Sequence, residues 1–396
     1  MENKPPKTNS HLLDSFVRRR QGNPMKKTIA LLLISSSKNG ADIHYLCGTH
    51  PPEGTILLKK GNQITLLVST MESNRMCRSV RRNVTVINPD QLGIKSGTKF
   101  SGWIQKLLKE KQLATVEISA DFPVGIADSL RRAGIKLKIS KLPPCPQREI
   151  KTTAETKAVR QSQCAAVAAM RAAIKQISSS RIFSDGKLYC GKTLLTSETI
   201  RATICHTLMD FDCITQETIV AGGPLSADPH ERGSGPLFAG QPIVIDIFPR
   251  SGKTGYWGDI TRTVCRGPAP TALKKQYNAV KAAQAAQLKI LKAGVWTDTV
   301  HRTGAELMAS RGFKTETIDG AAQGFIHGTG HGVGLEIHEA PRVSSANHQK
   351  LRAGHIITIE PGLYYSERGG VRIEDTVEVT KDGYKMLAPC IKQLEI

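Results

Sequence analysis

Long apolar runs are missing from the 396-residue sequence. No stretch approaches the ~20 residues that a membrane-spanning helix needs. There is no C-x-x-C pair, and the nine cysteines (47, 77, 145, 164, 190, 205, 213, 265 and 390) are scattered and odd in number. A disulfide framework is therefore not expected. The thiols suit a reducing compartment, the cytoplasm, mostly as small core residues. No Walker or dinucleotide fingerprint is present, so no phosphate-cradling loop is expected. Helix-turn-helix, zinc-finger and RNP patterns are absent as well. Acidic residues are scarce, 34 against 55 Lys and Arg, for a net charge of +21. The excess is steepest in residues 1–150, with 25 basic against 11 acidic side chains; the remainder holds 30 against 23. Such an excess can serve nucleic acid or anionic surfaces. Without a recognition motif it reads as a solvated basic surface, and neither nucleic acid nor membrane is expected as a partner.

What is present is enough chain for two domains. Met25-Lys-Lys followed by an apolar run imitates a signal peptide, but 24 residues precede it and no A-x-A site follows. Ile29–Ile34 reads instead as a buried strand, and residues 1–24 as a disordered polar extension, with Met25 a possible true start. Residues 25–145 alternate strand-like runs (Ile29–Ile34, Thr55–Leu58, Gln63–Val68, Val84–Ile87, Leu113–Ile118) with helical ones (Gly102–Lys111, Gly125–Ala133). That alternation predicts an α/β domain. Leu142-Pro-Pro-Cys-Pro146 is a stiff break and the expected linker. Residues 146–396 read as an α+β domain in which helices cover a mixed, mostly antiparallel sheet. Its first helix opens on Thr152-Thr-Ala-Glu155, a capping-box pattern, and runs to about Gln176. Further helices are expected over about Ser197–Met209, entered through Thr196, then Ala272–Lys292 and Asp298–Ser310, with Gly294 and Gly312 as C-terminal caps. Expected strands are Thr218–Ala221, Pro242–Phe248, Asp259–Val264, Ile356–Glu360 and Val371–Val379.

Three histidines, His327, His331 and His338, crowd the glycine-rich stretch HGTGHGVGLEIHEAP. Four carboxylates stand in strand or strand-end positions where an apolar residue is expected: Asp246 in PIVIDIF, Asp259 opening DITRTV, Glu360 ending IITIEPG and Glu374 inside GVRIEDTVEV. A carboxylate in a buried strand costs several kcal/mol unless a cation compensates it. One would be a salt bridge; four beside a histidine cluster point to bound metal. Oxygen-rich coordination with one imidazole suits Mn²⁺ first, with Co²⁺, Fe²⁺ or Zn²⁺ as alternatives. Four negative charges exceed what one divalent ion balances, so two are expected.

The segments VIDIF, GDITRTV, HGTGHGVGLEIHE, IEPGLYY and GVRIEDTVEV resemble those of the M24 metallopeptidases, the pita-bread family of methionine aminopeptidase, aminopeptidase P and prolidase. ADIHYLCG, near the start of the first domain, resembles the creatinase/prolidase N-terminal domain and points to the Xaa-Pro branch. Carried over by position, the resemblance implies that Asp246, Asp259, His331, Glu360 and Glu374 hold two ions. Asp259 and Glu374 would bridge them, Asp246 would chelate one, and His331 and Glu360 would bind the other. His230, His327 and His338 would lie near the substrate. Arg372, two residues before Glu374, would share its strand face and support the site or anchor substrate. The family usually spaces its first two aspartates by ten residues. Here twelve intervene, with the extra length in the turn-rich Pro249–Gly255, where a longer hairpin tip can absorb it.

The implied chemistry is hydrolysis of an Xaa-Pro bond at a peptide N-terminus, as in aminopeptidase P or prolidase, in a homodimer. Paired cations lower the pKa of a shared water and polarise the scissile carbonyl. Glu360 is the expected general base, His338 the oxyanion stabiliser, His230 a holder of the substrate and His327 a positioner outside the coordination sphere. Two rivals keep the same fold. A metal-free creatinase-like hydrolase should have lost ligands, and a catalytically inactive binding module should have lost them too; all five are present.

Overall fold

The computed structural model describes residues 29–35, 40–318 and 320–396. The expected extension over 1–24 and the alternative start at Met25 lie outside the described residues. The chain divides into two compact units between Arg148 and Glu149.

In the first unit a six-stranded sheet runs in the order β4-β3-β2-β1-β5-β6, with β1 Ala30–Ile34, β2 Ile56–Lys60, β3 Gln63–Leu67, β4 Val84–Ile87, β5 Thr115–Ile118 and β6 Lys136–Ile139. The β1–β2 and β2–β3 pairings are antiparallel and the other three parallel. Both faces are covered, which is why β1 is apolar throughout rather than alternating. Leu32 and Ile34 face Ile104, Leu107 and Leu130 on α3 (Phe100–Glu110) and α4 (Val124–Arg132). Leu33 packs on the opposite side with Ile43 and Met76, from α1 (Gly40–Cys47) and α2 (Thr70–Ser79).

The second unit contains α5 (Thr153–Ser178), α6 (Ser197–Met209), α7 (Thr271–Ile290) and α8 (Thr297–Ser310). The capping box of α5 forms as the sequence predicts: Thr152 Oγ1 accepts from Glu155 N–H and Glu155 accepts from Thr152 N–H. Such a cap contributes ~1 kcal/mol. The alanine face of α5, with Ala165, Ala166, Ala169 and Ala173, lies close against β7 (Ile219–Gly222), β8 (Ile243–Ile247) and β9 (Ile260–Val264). These three form one antiparallel sheet, and its register sets Asp246 opposite Thr261 and Ile247 opposite Ile260. Beyond that pair the ladder continues, with Gly258 N–H donating to Pro249 O and Arg250 bridging Trp257. The tip closes on itself when Ser251 and Tyr256 bond, so the added length lies outside the pairing that holds Asp246.

A second antiparallel sheet has the order β11-β10-β12-β15-β16, from β10 (Gly330–Gly332), β11 (Glu339–Val343), β12 (Ile356–Ile359), β15 (Asp375–Val379) and β16 (Tyr384–Met386). A separate hairpin pairs β13 (Gly362–Tyr365) with β14 (Gly369–Arg372). Two expectations need correction here. The predicted strand Val371–Val379 is two strands in different sheets, broken at Ile373-Glu374. Its partner breaks at the same level, at Glu360-Pro361, because Ile359 pairs with Asp375 while Gly362 pairs with Arg372. Gly294 also caps no helix: α7 ends at Ile290 and the buried, extended Leu291 follows. Gly312 does occupy the left-handed position after α8, at φ +88°.

Candidate metal centre

Five elements deliver the acids and the imidazole. Asp246 is the penultimate residue of β8. Asp259 precedes β9, and its backbone is fixed by a buried amide: Asp259 N–H donates to Gln163 Oε1 at 2.7 Å, and Gln163 Nε2 donates to Asp259 O at 2.8 Å. Thr376 Oγ1 donates to the same carbonyl at 2.7 Å. Glu360 and Glu374 occupy the two facing breaks of the long hairpin.

His331 sits at the centre of β10, between glycines that sterics require. A Cβ on Gly330 would lie 2.0 Å from Thr358 O, and one on Gly332 2.3 Å from Ala340 O. The close approach lets His331 N–H donate to Thr358 Oγ1 at 3.0 Å, and Thr358 Oγ1 donates to Glu360 Oε1 at 3.0 Å. His331 Nδ1 lies 3.1 Å from Gly332 O. With an ion bound, a proton there would leave the Nε2 lone pair to face it; without one, Nε2 is placed to donate to Glu360. Nε2 stands 3.2 Å from Glu360 Oε1 and 3.6 Å from Asp259 Oδ2. Asp259, His331 and Glu374 each present a ligand atom within 4.8 Å of the other two.

Polar partners bind one side of the cluster and leave the other side open to ligation. Arg372 Nη2 donates to Asp246 Oδ2 at 2.7 Å, and Thr261 Oγ1 donates to Glu374 Oε2 at 2.8 Å. Asp246 Oδ1 and Glu374 Oε1 are buried with no hydrogen-bond partner. Orphaned buried carboxylate oxygens are costly, and a cation is the group that satisfies them.

The electrostatics agree. Burial, and then the charges of Glu374, Asp246 and Glu360, push the Asp259 carboxyl well above the usual carboxylate range. Burial and then Glu360 and Asp246 do the same to Glu374. Asp246 is raised by burial against the opposing charge of Arg372. Burial also works against ionisation of Glu360, but the hydrogen bond and charge of His331 outweigh it and hold this carboxyl down at about 2. A pocket that ionises one acid and resists the others is short of positive charge. Oxygen donors with one imidazole fit hard or borderline divalent ions.

The remaining histidines lie around this cluster. His327 Nδ1 meets Gly328 O at 2.7 Å, and Nε2 meets Tyr364 Oη at 2.9 Å. Burial lowers its pKa to about 4. His338 packs edge-on against His331, with ring centroids 4.4 Å apart. Desolvation, then the charges of His331 and Arg342, lower it to about 4. His230 is exposed, and its backbone N–H donates to Asp228 Oδ1. Arg372 is buried, and both it and Glu374 bond Thr261 Oγ1, although the strand expected to carry them breaks between them. Its Nη1 donates to Tyr364 Oη at 2.7 Å and to Pro229 O at 3.3 Å, and its Nε to Thr261 Oγ1 at 3.3 Å.

Thr261, Thr358, Tyr364 and Gln163 also serve the site and are not among the expected residues. Tyr364 was legible as the aromatic after IEPG, and Thr261 as a polar residue two positions from Asp259 on the same strand face. Gln163 carried a weaker signal, a polar residue on an alanine-rich helix.

Residues 157–381 match metallopeptidase family M24. An Xaa-Pro dipeptidase from Pyrococcus horikoshii is 29% identical over 375 residues, 93% of this chain and 95% of its own length. The solved prolidase of Pyrococcus horikoshii OT3 superposes with a TM-score of 0.78 at 26% identity, covering 97% of both chains. An X-Pro aminopeptidase from Thermotoga maritima superposes with a TM-score of 0.76 at 24% identity, over 93% of this chain and 98% of its own. The fold is the pita-bread fold of these structures, preceded by an α/β unit.

Proposed function

The chain belongs to metallopeptidase family M24, and on that premise we propose that it hydrolyses Xaa-Pro bonds at the N-terminus of peptides, using two divalent cations. The observation that carries this reading is the pair of orphaned oxygens, Asp246 Oδ1 and Glu374 Oε1, beside the Asp259–His331–Glu374 triad. In this reading Asp259 and Glu374 hold both ions, Asp246 one, and His331 and Glu360 the other. When bound, such ions lower the pKa of water and polarise a carbonyl oxygen.

The chain's own residues supply the rest. Glu360, which accepts from Thr358 Oγ1 and lies 3.2 Å from His331 Nε2, is the general base of this reading. His338, beside His331, is uncharged over that range and offers a neutral N–H to a developing oxyanion. His230, on the exposed side, holds the substrate. His327 is a positioning residue: its link to Tyr364, and through it to Arg372, fixes the Asp246 side of the cluster. The three guanidinium nitrogens of Arg372 all donate to protein groups, which favours positioning Asp246 over anchoring a substrate carboxylate.

The oxygen-rich donor set favours Mn²⁺. Two relatives matched over 93% of the chain are Xaa-Pro dipeptidases, which favours dipeptides over longer peptides. All nine cysteines are free thiols, in keeping with the cytoplasm. A homodimer is part of the same reading, and light scattering in solution tests it. The decisive experiment is release of the N-terminal residue from matched Xaa-Pro, Xaa-Pro-Yaa and proline-free panels with Mn²⁺ and after chelation. The expected result is Mn²⁺-dependent cleavage, fastest on Xaa-Pro. Cleavage that survives chelation refutes the metal requirement, and cleavage of peptides lacking proline at equal rates refutes the specificity.

A further inference from the structure

Helix α7 carries three fully buried glutamines on its strand-facing side, Gln276, Gln284 and Gln287. Gln284 meets the long hairpin where its ladder is interrupted. Its Nε2 donates to Ile359 O at 2.8 Å and to Ile373 O at 3.1 Å. These carbonyls belong to the peptide groups that lead into Glu360 and Glu374. The N–H of each of those peptides is held as well: Glu360 N–H donates to Thr329 O at 2.7 Å and Glu374 N–H to Thr261 O at 3.1 Å. Gln287 Nε2 secures Thr329 through its hydroxyl at 2.9 Å. A peptide group is planar, so fixing both its C=O and its N–H fixes the plane and the direction in which the next side chain departs. At the paired break one amide therefore replaces the missing strand-to-strand bonds and ties both acidic residues to a single rigid helix.

We propose that Gln284 is the positioning residue that sets the separation of Glu360 and Glu374, and through it the geometry of the two-cation centre. This rests on the reading of those two acids as cation ligands. Gln284 Oε1 has no partner, so its hydrogen bonding passes entirely through Nε2 to the two carbonyls. Gln276 is a built-in control. It has the same burial and the same pattern, with Nε2 donating to Leu363 O at 2.9 Å and Gly369 O at 3.1 Å, but it spans the β13–β14 hairpin rather than the peptides leading into the acids.

The test compares the full chain, Gln284→Met and Gln276→Met, by Mn²⁺ titration calorimetry, by low-temperature electron paramagnetic resonance of the loaded proteins, and by thermal midpoint without metal. Gln284→Met should bind one Mn²⁺ about 10–100-fold more weakly, the range for residues that orient metal ligands, and should lose the spin-coupled two-ion signal. Gln276→Met should lose comparable thermal stability yet keep wild-type affinity and coupling. If Gln284→Met does not fold, Gln284→Asn, which keeps the amide but shortens its reach, should show the same weakening. Two ions bound as in wild type by the Gln284 variants overturn the assignment, as does equal weakening in Gln276→Met. A wild-type chain that takes up no cation overturns the metal reading itself, and this assignment with it.

Discussion

Replacing Arg372 by methionine should destabilise the metal-free chain far more than the metal-loaded one. Methionine keeps most of the buried stem and removes the charge. In wild type the guanidinium is the cation in contact with Asp246, at 2.7 Å, and it also bonds Tyr364, Thr261 and Pro229. Without it Asp246 becomes a buried carboxylate with neither oxygen satisfied, since Oδ1 already has no partner. Breaking a buried pair from one side costs about 3–5 kcal/mol. In a unit the size of Glu149–Ile396 each kcal/mol moves Tm by about 2–4 °C, so the metal-free variant should melt roughly 6–20 °C lower. Bound cations supply Asp246 with the charge it lost, leaving a deficit of about 1–2 kcal/mol for the neutral hydrogen bonds. Protonation supplies the same relief. Asp246 already has a folded pKa above its unfolded value, and the variant raises it further. Its contribution is then fullest below the unfolded value and is lost as pH rises through the folded one. The metal-free deficit should accordingly be larger at pH 8 than at pH 5. Calorimetric melting of wild type and variant, stripped and Mn²⁺-loaded, at both pH values measures all four corners. An equal deficit with and without metal, or one that does not change with pH, refutes the argument.

His331→Ala should remove one cation and abolish peptide cleavage while circular dichroism stays close to wild type, because the imidazole serves the acids and not the sheet; full activity, or loss of the fold, contradicts this. His355→Gln should flatten the acid limb of stability. His355 is fully buried, away from the acid cluster, and burial followed by Arg352 and Lys151 holds its pKa down at about 3. Glu149, 3.8 Å from its Nε2, is already engaged by Arg352 and Gln349. A depressed folded pKa contributes stability above the unfolded value near 6.5 that is lost as pH falls toward 3, at most roughly 4–5 kcal/mol. Urea midpoints at pH 7.5 and 4 should fall less in His355→Gln than in wild type, and parallel losses count against it.

How much the sequence disclosed depended on how local each signal was. The capping box at Thr152 and Glu155 needs four residues and was readable in full. The four acids announced themselves only together, because one carboxylate in an apolar strand reads as a salt bridge while four beside a histidine cluster do not. The helices Gly40–Cys47 and Thr70–Ser79 were harder to see. The first has eight residues, and the second buries one side chain, Met76, so no apolar stripe marks it. The breaks at Glu360-Pro361 and Ile373-Glu374 were also hidden. GVRIEDTVEV has the composition of one strand, and its two halves are separated only by which partners they pair with, information that lies outside the segment itself. Gln284 belongs to the same class. An amide on a helix says nothing until the carbonyls it bonds are known.

The β8–β9 register has a consequence for protein engineering. Asp246 is aligned by rungs on either side of it, whereas Ser251–Tyr256 forms a bend that no rung of that alignment requires. Foreign peptide spliced beside the exposed Lys253 would thus be invisible to the chemistry, and this spot is where an epitope, fluorophore or tether should be grafted.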